Sequence, residues 1–431
     1  AGFSHAGLAS RINARSGNLR YDHTAVARWV RDHAIPRGDV PALICDILGE
    51  RLGRTLAPRD IGMDLTSESR LDEFSPERLA HRATARWSND SPNHATDEPR
   101  LLRGVAALAP IVEWETCFEE ALPSHDQGPA VDAGDIEMLR TARDHFELMY
   151  RQVGGLAVWP RLVQFLNDHA GPRLRGRYSE EIGKRLHRAA GGLVALAGVC
   201  VYDADRHGVA QRYYLDALGM AKTSGDRAFG TYVLALLATQ AFLLGEHRQV
   251  LRYAEAGLRG DRRDTPAALV ADLHTMQAKA LAQLRDRRAT HQHIKLADSA
   301  VSGAIQHGIP EAGYVQGGHL ECRHAETLTC LGDLRAARRF AEESLSTAGQ
   351  AHPRSQVHRL AVLADVLLAE GHDLDLAVDV GAKMLERAWG MESRRIRARL
   401  RELRAGMIRS ADYQPARELV ERINIALAVP L

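Results

Sequence analysis

Apolar residues recur at helical spacing along most of the chain, and polar, Gly- or Pro-containing breaks divide that pattern into four parts. In residues 1–63, Leu8, Ala9 and Ile12 share one face of a short helix that Ser4 is placed to cap. After a polar loop at 15–21, Asp22 caps a second helix from 23 to about 33, with Ala25, Val26, Trp29 and Val30 as its buried stripe. A third helix starts at Pro41, a favoured first helical position, and Val40, Leu43, Ile44, Ile47, Leu48 and Leu52 keep the 3.6-residue period. Residues 58–62 end this small unit.

Residues 64–99 are the most polar stretch and read as a linker holding one short helix around 76–87. Helical texture returns at 100–190, a connecting region with helices expected at 101–121, 135–152, 158–169 and from 179 onward. Loops carrying Pro123, Pro129, Gly154, Gly155, Gly171 and Pro172 separate them. From 191 to 431 the pattern repeats. Helix ends at Leu218, Leu258, Val301, Leu345 and Leu385 are spaced by 40, 43, 44 and 40 residues. The first unit has Gly198, Ala210, Tyr214 and Ala217 at the small, small, aromatic and small positions of a tetratricopeptide repeat. Small residues are needed there because two helices approach closely. The units are degenerate, and the third, near 273–301, keeps only the period. The fold class expected is all-α: a small helical head, which the resemblance given below implies is a helix-turn-helix, followed by a right-handed α-solenoid of degenerate tetratricopeptide-like helix pairs.

Composition narrows the function classes. Lys and Arg total 56 against 55 Asp and Glu, so no whole-protein field points to nucleic acid or membrane. Only five of the basic residues are lysines and 51 are arginines, so a local Arg cluster is weak evidence for phosphate binding. Five cysteines without a Cys-x-x-Cys pair suit a reducing compartment and argue against a disulfide framework or zinc module. There is no apolar run of 18 residues and no signal-peptide layout, so a soluble, cytoplasmic protein is expected. The dinucleotide, P-loop, zinc-protease and serine-hydrolase motifs are missing, so a non-enzymatic role without a cofactor is the expectation.

The sharpest local signal is the phrase from Tyr21 to Arg31, Tyr-Asp-His-Thr-Ala-Val-Ala-Arg-Trp-Val-Arg. With Ala25, Val26, Trp29 and Val30 buried, the outer face carries His23, Thr24, Ala27, Arg28 and Arg31. Such a face suits a major groove: small Ala27 permits close approach and Arg28 has the fork that matches guanine. Ser4 and Arg11, on the preceding helix, are placed to hold a phosphate, and Tyr21 borders the same face. Residues 1–62 carry a net charge of +3 from nine Arg and six acids. The blander reading is a small helical domain with a solvated basic face.

That phrase, with Val40-Pro41-x-Leu43-Ile44 and Asp60-Ile61-Gly62-Met63, resembles an actinobacterial family of helix-turn-helix transcriptional regulators with tetratricopeptide-like C-terminal halves. The resemblance continues at Leu174-Arg175-Gly176-Arg177-Tyr178 and is strong again from Tyr202 to Tyr214, in Tyr-Asp-Ala-Asp-Arg-His-Gly-Val-Ala-Gln-Arg-Tyr-Tyr. It implies control of differentiation or secondary metabolism, double-stranded DNA as a partner, and a further helix before Ala1.

Helix A of each repeat would line the concave face and hold a small-molecule or peptide effector. Its candidate ligand residues are Tyr202, Asp203, Tyr232, Thr239, His274, Gln277, His319, Arg323, Glu326, His358 and Asp365, with Cys322 and Thr329 beside them. An ordinary solvated groove or a homodimer surface is the competing reading. His319-x-x-Cys322-x-His324 resembles a metal spacing, yet 20 histidines make chance neighbours common and no fourth ligand is evident. The acids and arginines at 392–404 read as a solvated, salt-bridged face. The whole reads as a cytoplasmic, homodimeric DNA-binding regulator with a ligand-sensing repeat domain and no membrane partner. The alternative is a protein- or peptide-binding scaffold with a vestigial head.

Overall fold

In a computed structural model, the protein is described at residues 2–16, 20–31, 36, 40–53, 56, 61, 63, 76–90, 99, 101–103, 105–115, 128–259, 265–301, 308–347, 352–410 and 412–429. The described residues form an all-α protein of repeated helix pairs. The contacts divide the chain into a smaller unit, 1–75 with 101–116, and a larger one, 76–100 with 117–431. Among the described residues no helix is long and apolar enough to cross a membrane.

The smaller unit is built on α1 (His5–Ser16), α2 (His23–Arg31) and α3 (Val40–Leu52). Capping sets the first two starts: Ser4 Oγ accepts from Gly7 N at 3.1 Å, and Asp22 Oδ1 accepts from Ala25 N at 2.9 Å. Ala9, Ile12, Val26, Trp29, Val40, Ile44 and Ile47 make the core. Asn13 locks the loop before α2 by bonding both the N–H and the carbonyl of Tyr21, at 2.8 and 2.7 Å. The Tyr21 ring meets Trp29 edge-on at 4.9 Å. Two expected core residues lie outside: Val30, one residue past Trp29, turns away from the Val26–Trp29 line, and Leu52 is exposed at the end of α3. The helix expected at 101–121 is seen as α5 (Val105–Glu115), with Ala107, Ile111 and Trp114 buried; residues 116–121 lie outside the described residues.

In the larger unit, α4 (Pro76–Asn89) comes from the stretch read as a linker. It buries Leu79, Ala80, Ala83 and Trp87, and the contacts group it with the helices that follow. Then come α6 (Ala133–Val153) and α7 (Gly155–Phe165). The expected break at Gly171 and Pro172 is instead a π turn at Leu166–Ala170 and one more helical turn, α8 (Gly171–Leu174). Pro172 sits in the first turn of α8, directly after the π turn.

Six helix pairs follow. They are α9 (Glu180–Asp203) with α10 (His207–Ser224), α11 (Arg227–Leu243) with α12 (His247–Leu258), and α13 (Ala267–Gln283) with α14 (Arg287–Ala300). The others are α15 (His319–Leu331) with α16 (Leu334–Ser346), α17 (Pro353–Glu370) with α18 (Leu374–Ala388), and α19 (Arg394–Ile408) with α20 (Gln414–Ala428). A boundary at 190/191 therefore falls inside α9, one helix from its Ser179 cap to Asp203. Within five pairs, the turn contains one left-handed residue: Asp205, Gly245, Arg285, Gly332 or Gly371. Asp286, Asp333 and Asp373 then cap the second helix.

Candidate functional site

The first helices of the pairs, α9, α11, α13, α15, α17 and α19, each touch the next in the series. Their run curls back until the start of α19 meets the end of α9. Asp203, fully buried, is the junction: it accepts from Gly155 N at 2.8 Å, from Ser393 Oγ at 2.8 Å and from the Arg354 guanidinium. Glu392 N also bonds Val153 O at 2.7 Å. The space these helices enclose is a cleft of about 620 Å³, a size typical of small-molecule sites.

Every first helix contributes to its walls: Tyr202 from α9, Thr239 and Phe242 from α11, Lys279 from α13, Arg323 and Glu326 from α15, Arg354 and His358 from α17, and Arg395 and Arg399 from α19. Glu326 is the electrostatic centre. Its carboxylate lies 2.7 Å from Lys279 Nζ, 3.1 Å from Arg399 Nη2, 3.6 Å from His358 Nε2 and 4.0 Å from Arg323 Nη1. Burial opposes its charge, but the surrounding cations overcome that and hold the carboxyl well below the usual carboxylate range. Burial draws the Lys279 ammonium down to about 8 against the pull of Glu326. Burial also pushes His358 well below the usual imidazole range; Glu326 pulls it up, and Arg399, Arg323 and Lys279 oppose that pull.

Five of the expected ligand residues line this cleft: Tyr202, Thr239, Arg323, Glu326 and His358. Asp365 and Thr329 line an adjoining hollow of about 240 Å³ that shares Lys279, Glu326 and Arg399 with it. The remaining expected residues do other work. Asp203 is the buried junction described above. Tyr232 is buried between Phe229 and Tyr314, with ring centroids at 6.2 and 6.0 Å. His274 pairs with Gln277 and with His293 of α14, each at 3.2 Å, so both face the packing inside their own pair. His319 bonds Asp272, and Cys322 is a buried thiol that burial raises to about 12. His324 packs edge-on against Phe340.

Lys279, Phe242, Arg354, Arg395 and Arg399 escaped the sequence reading. Lys279 carried a usable signal, being one of five lysines and set among alanines. Arg395 and Arg399 belong to the segment read as a solvated face. Arg399 does pair with Glu402 at 3.0 Å, yet both arginines also line the cleft.

In the smaller unit, His23, Thr24, Arg28 and Arg31 are all exposed on α2, opposite buried Val26 and Trp29. Thr24 Oγ1 donates to Asp22 Oδ1 at 2.7 Å. Arg11 lies with its guanidinium 4.9 Å from the Phe3 ring, and Ser4 is engaged as the α1 cap. Tyr21 is half-buried, held by its contacts to Asn13 and Trp29.

Fold and site thus define an all-α protein with a three-helix N-terminal core and a repeat unit enclosing a charged cleft. Residues 1–64 match the family model of the SP15 N-terminal domain. No curated protein matches the chain.

Proposed function

We propose that the chain is a cytoplasmic DNA-binding transcriptional regulator, acting as a homodimer, whose helical-repeat unit holds an effector. The reading rests on α2: one face anchors in the core through Val26 and Trp29, and the other presents His23, Thr24, Arg28 and Arg31 to solvent. That is the division of labour a groove-reading helix needs, with Arg28 suited to guanine and Arg31 to phosphate. One helix of nine residues reads few base pairs, so two copies on paired half-sites supply the specificity. The cleft supplies the sensing surface, and an effector acts only so far as it prefers one arrangement of the repeats over another.

Fluorescence anisotropy with promoter fragments from the source genome tests this directly. Sequence-selective binding that weakens steeply with salt, and is lost in Arg28→Ala/Arg31→Ala, is the expected result. Absence of selective binding, or binding indifferent to the double substitution, overturns it and leaves the cleft as the functional surface of a non-enzymatic scaffold.

A further inference from the structure

The charges around the cleft are unevenly satisfied. Arg399 has Glu326, Glu402 and Asp365 within 3.4 Å, and Arg354 has Asp203. Arg395 differs. Its guanidinium carbon lies 4.5 Å from the centroid of the Tyr202 ring, and among the described residues no carboxylate reaches it. An arginine stacked on an aromatic face is held in place with its donor fork still available, which is how proteins pre-organise carboxylate and phosphate sites. Arg323 adds a second unfilled donor. Its nearest carboxylates, Asp272 and Glu326, stand at 3.9 and 4.0 Å, and its Nε has no hydrogen-bond partner among the described residues. A buried guanidinium N–H without a partner is costly unless something else fills it.

These donors converge. Arg395, Arg323 and Arg354 all lie close enough to Tyr202 for their charges to favour ionisation of its hydroxyl, although burial outweighs them. The same lining includes apolar side chains: Phe242, Leu243 and Leu244 from the end of α11, with the Lys279 ammonium 4.4 Å from the Phe242 ring, and Val357 and Ile396 from α17 and α19. Leu243 is among the few large apolar side chains left exposed. Cationic donors and apolar side chains in one enclosed space select a molecule with both properties.

We infer that the cleft takes a small amphipathic anion, its carboxylate or phosphate held by Arg395 and Arg323 at the Tyr202 end and its apolar body against Phe242 and Leu243. This assigns a chemical class to the effector, and so rests on the reading of the cleft as a sensing site. The Glu326 cluster beside it keeps Lys279 and Arg399 internally neutralised, so the anion is drawn to Arg395, which no carboxylate reaches among the described residues, and to Arg323, whose carboxylates stand no closer than 3.9 Å.

Calorimetric titration of the full chain with octanoate, octyl phosphate and 1-octanol tests the inference. At least one anion binds at a single site about tenfold more tightly than the alcohol, the scale of one charge-assisted contact. Preference for octyl phosphate assigns a phosphate ligand, and preference for octanoate a carboxylate. Arg395→Gln weakens the anion about tenfold and leaves the alcohol unchanged. Glu402→Gln, which removes an exposed carboxylate from the cleft wall, acts in the opposite direction and tightens the anion about threefold. Opposite signs from two variants exclude misfolding as the cause. Failure of both anions to bind, an alcohol that binds as tightly, or an anion affinity indifferent to Arg395→Gln overturns the inference. Anion binding without selective DNA binding removes the regulator and keeps the site. Selective DNA binding without anion binding does the reverse.

Discussion

A Cβ placed on Gly198 would lie 2.6 Å from Cε1 and 2.7 Å from Cδ1 of Tyr214, so the backbone of α9 rests directly on a ring of α10. Tyr214 is itself fully buried and has no room to withdraw. Gly198→Ala therefore overpacks the first pair, at a cost of about 1–3 kcal/mol, offset by up to about 1 kcal/mol from alanine's better helix propensity. The expected net loss in urea unfolding contrasts with Gly313→Ala, where an added Cβ meets nothing within 4 Å. Equal midpoints for the two variants would remove the close approach as the reason for a glycine at 198.

Asp216 carries the docking of α4. It is 1% exposed, and it receives Arg86 at 2.7 Å and Arg82 at 3.1 Å, both from a helix some 130 positions earlier in the chain. Asp216→Ala leaves two arginines that still reach solvent, so the cost is the lost ion pairs rather than stranded charge, about 1–3 kcal/mol. Hydrogen exchange should rise selectively at 76–89 in this variant, because α4 is the element held by it. Unchanged protection there would show that Leu79, Ala83 and Trp87 hold the helix unaided.

These two relationships mark what was legible in the chain and what was not. Gly198, Ala210 and Tyr214 could be read because small and aromatic residues at fixed helical offsets have a packing meaning that needs no partner list. Caps at Ser4 and Asp22 were equally local. Asp203 was not, since its role depends on Ser393, 190 positions away. Arg82 and Arg86 looked like linker charges until Asp216 appeared beneath them. Asp205 and Arg285 adopt the left-handed turn that Gly245, Gly332 and Gly371 announce openly, so the turn position was visible in only part of the series. The cleft was half legible: a helix period assigns residues to a face, but only the curl of six pairs brings Tyr202 under Arg395.

Asp272 sets an acid limit on stability. It is fully buried and accepts from Tyr314 Oη at 2.6 Å and His319 Nε2 at 2.8 Å, with Arg323 at 3.9 Å. Burial alone would raise its pKa, but the His319 hydrogen bond, the neighbouring charges and the Tyr314 bond prevail and hold it well below the ordinary carboxylate range. His319 itself is kept neutral at pH 7, burial outweighing Asp272, so it serves as a donor rather than a counter-ion. Because the folded pKa is depressed, the contribution is complete above the unfolded value of about 4 and disappears as pH falls below it. Asp272→Asn should lower Tm at pH 7 and flatten the fall of Tm between about pH 5 and pH 3. Parallel Tm curves for the two proteins would place the acid sensitivity elsewhere, with Glu326 the next carboxylate to replace.

Arg28 and Arg31 test the regulator reading by the form of the loss as well as its size. Both are exposed in the last turn of α2 and neither belongs to the core, so alanine at each should change stability by less than about 0.5 kcal/mol. Their effects on DNA should differ in kind. Loss of a guanine contact at Arg28 costs about 1–3 kcal/mol and relaxes discrimination at one base position per half-site. Loss of a phosphate contact at Arg31 weakens all sequences alike and reduces the slope of log K against log salt by about 1 per contact. Measured over a salt series, Arg28→Ala should thus lower selectivity with its slope nearly kept, and Arg31→Ala should lower the slope with selectivity nearly kept. If both variants only shift affinity uniformly, α2 lies along the phosphate backbone, and the groove is read by another element or by none.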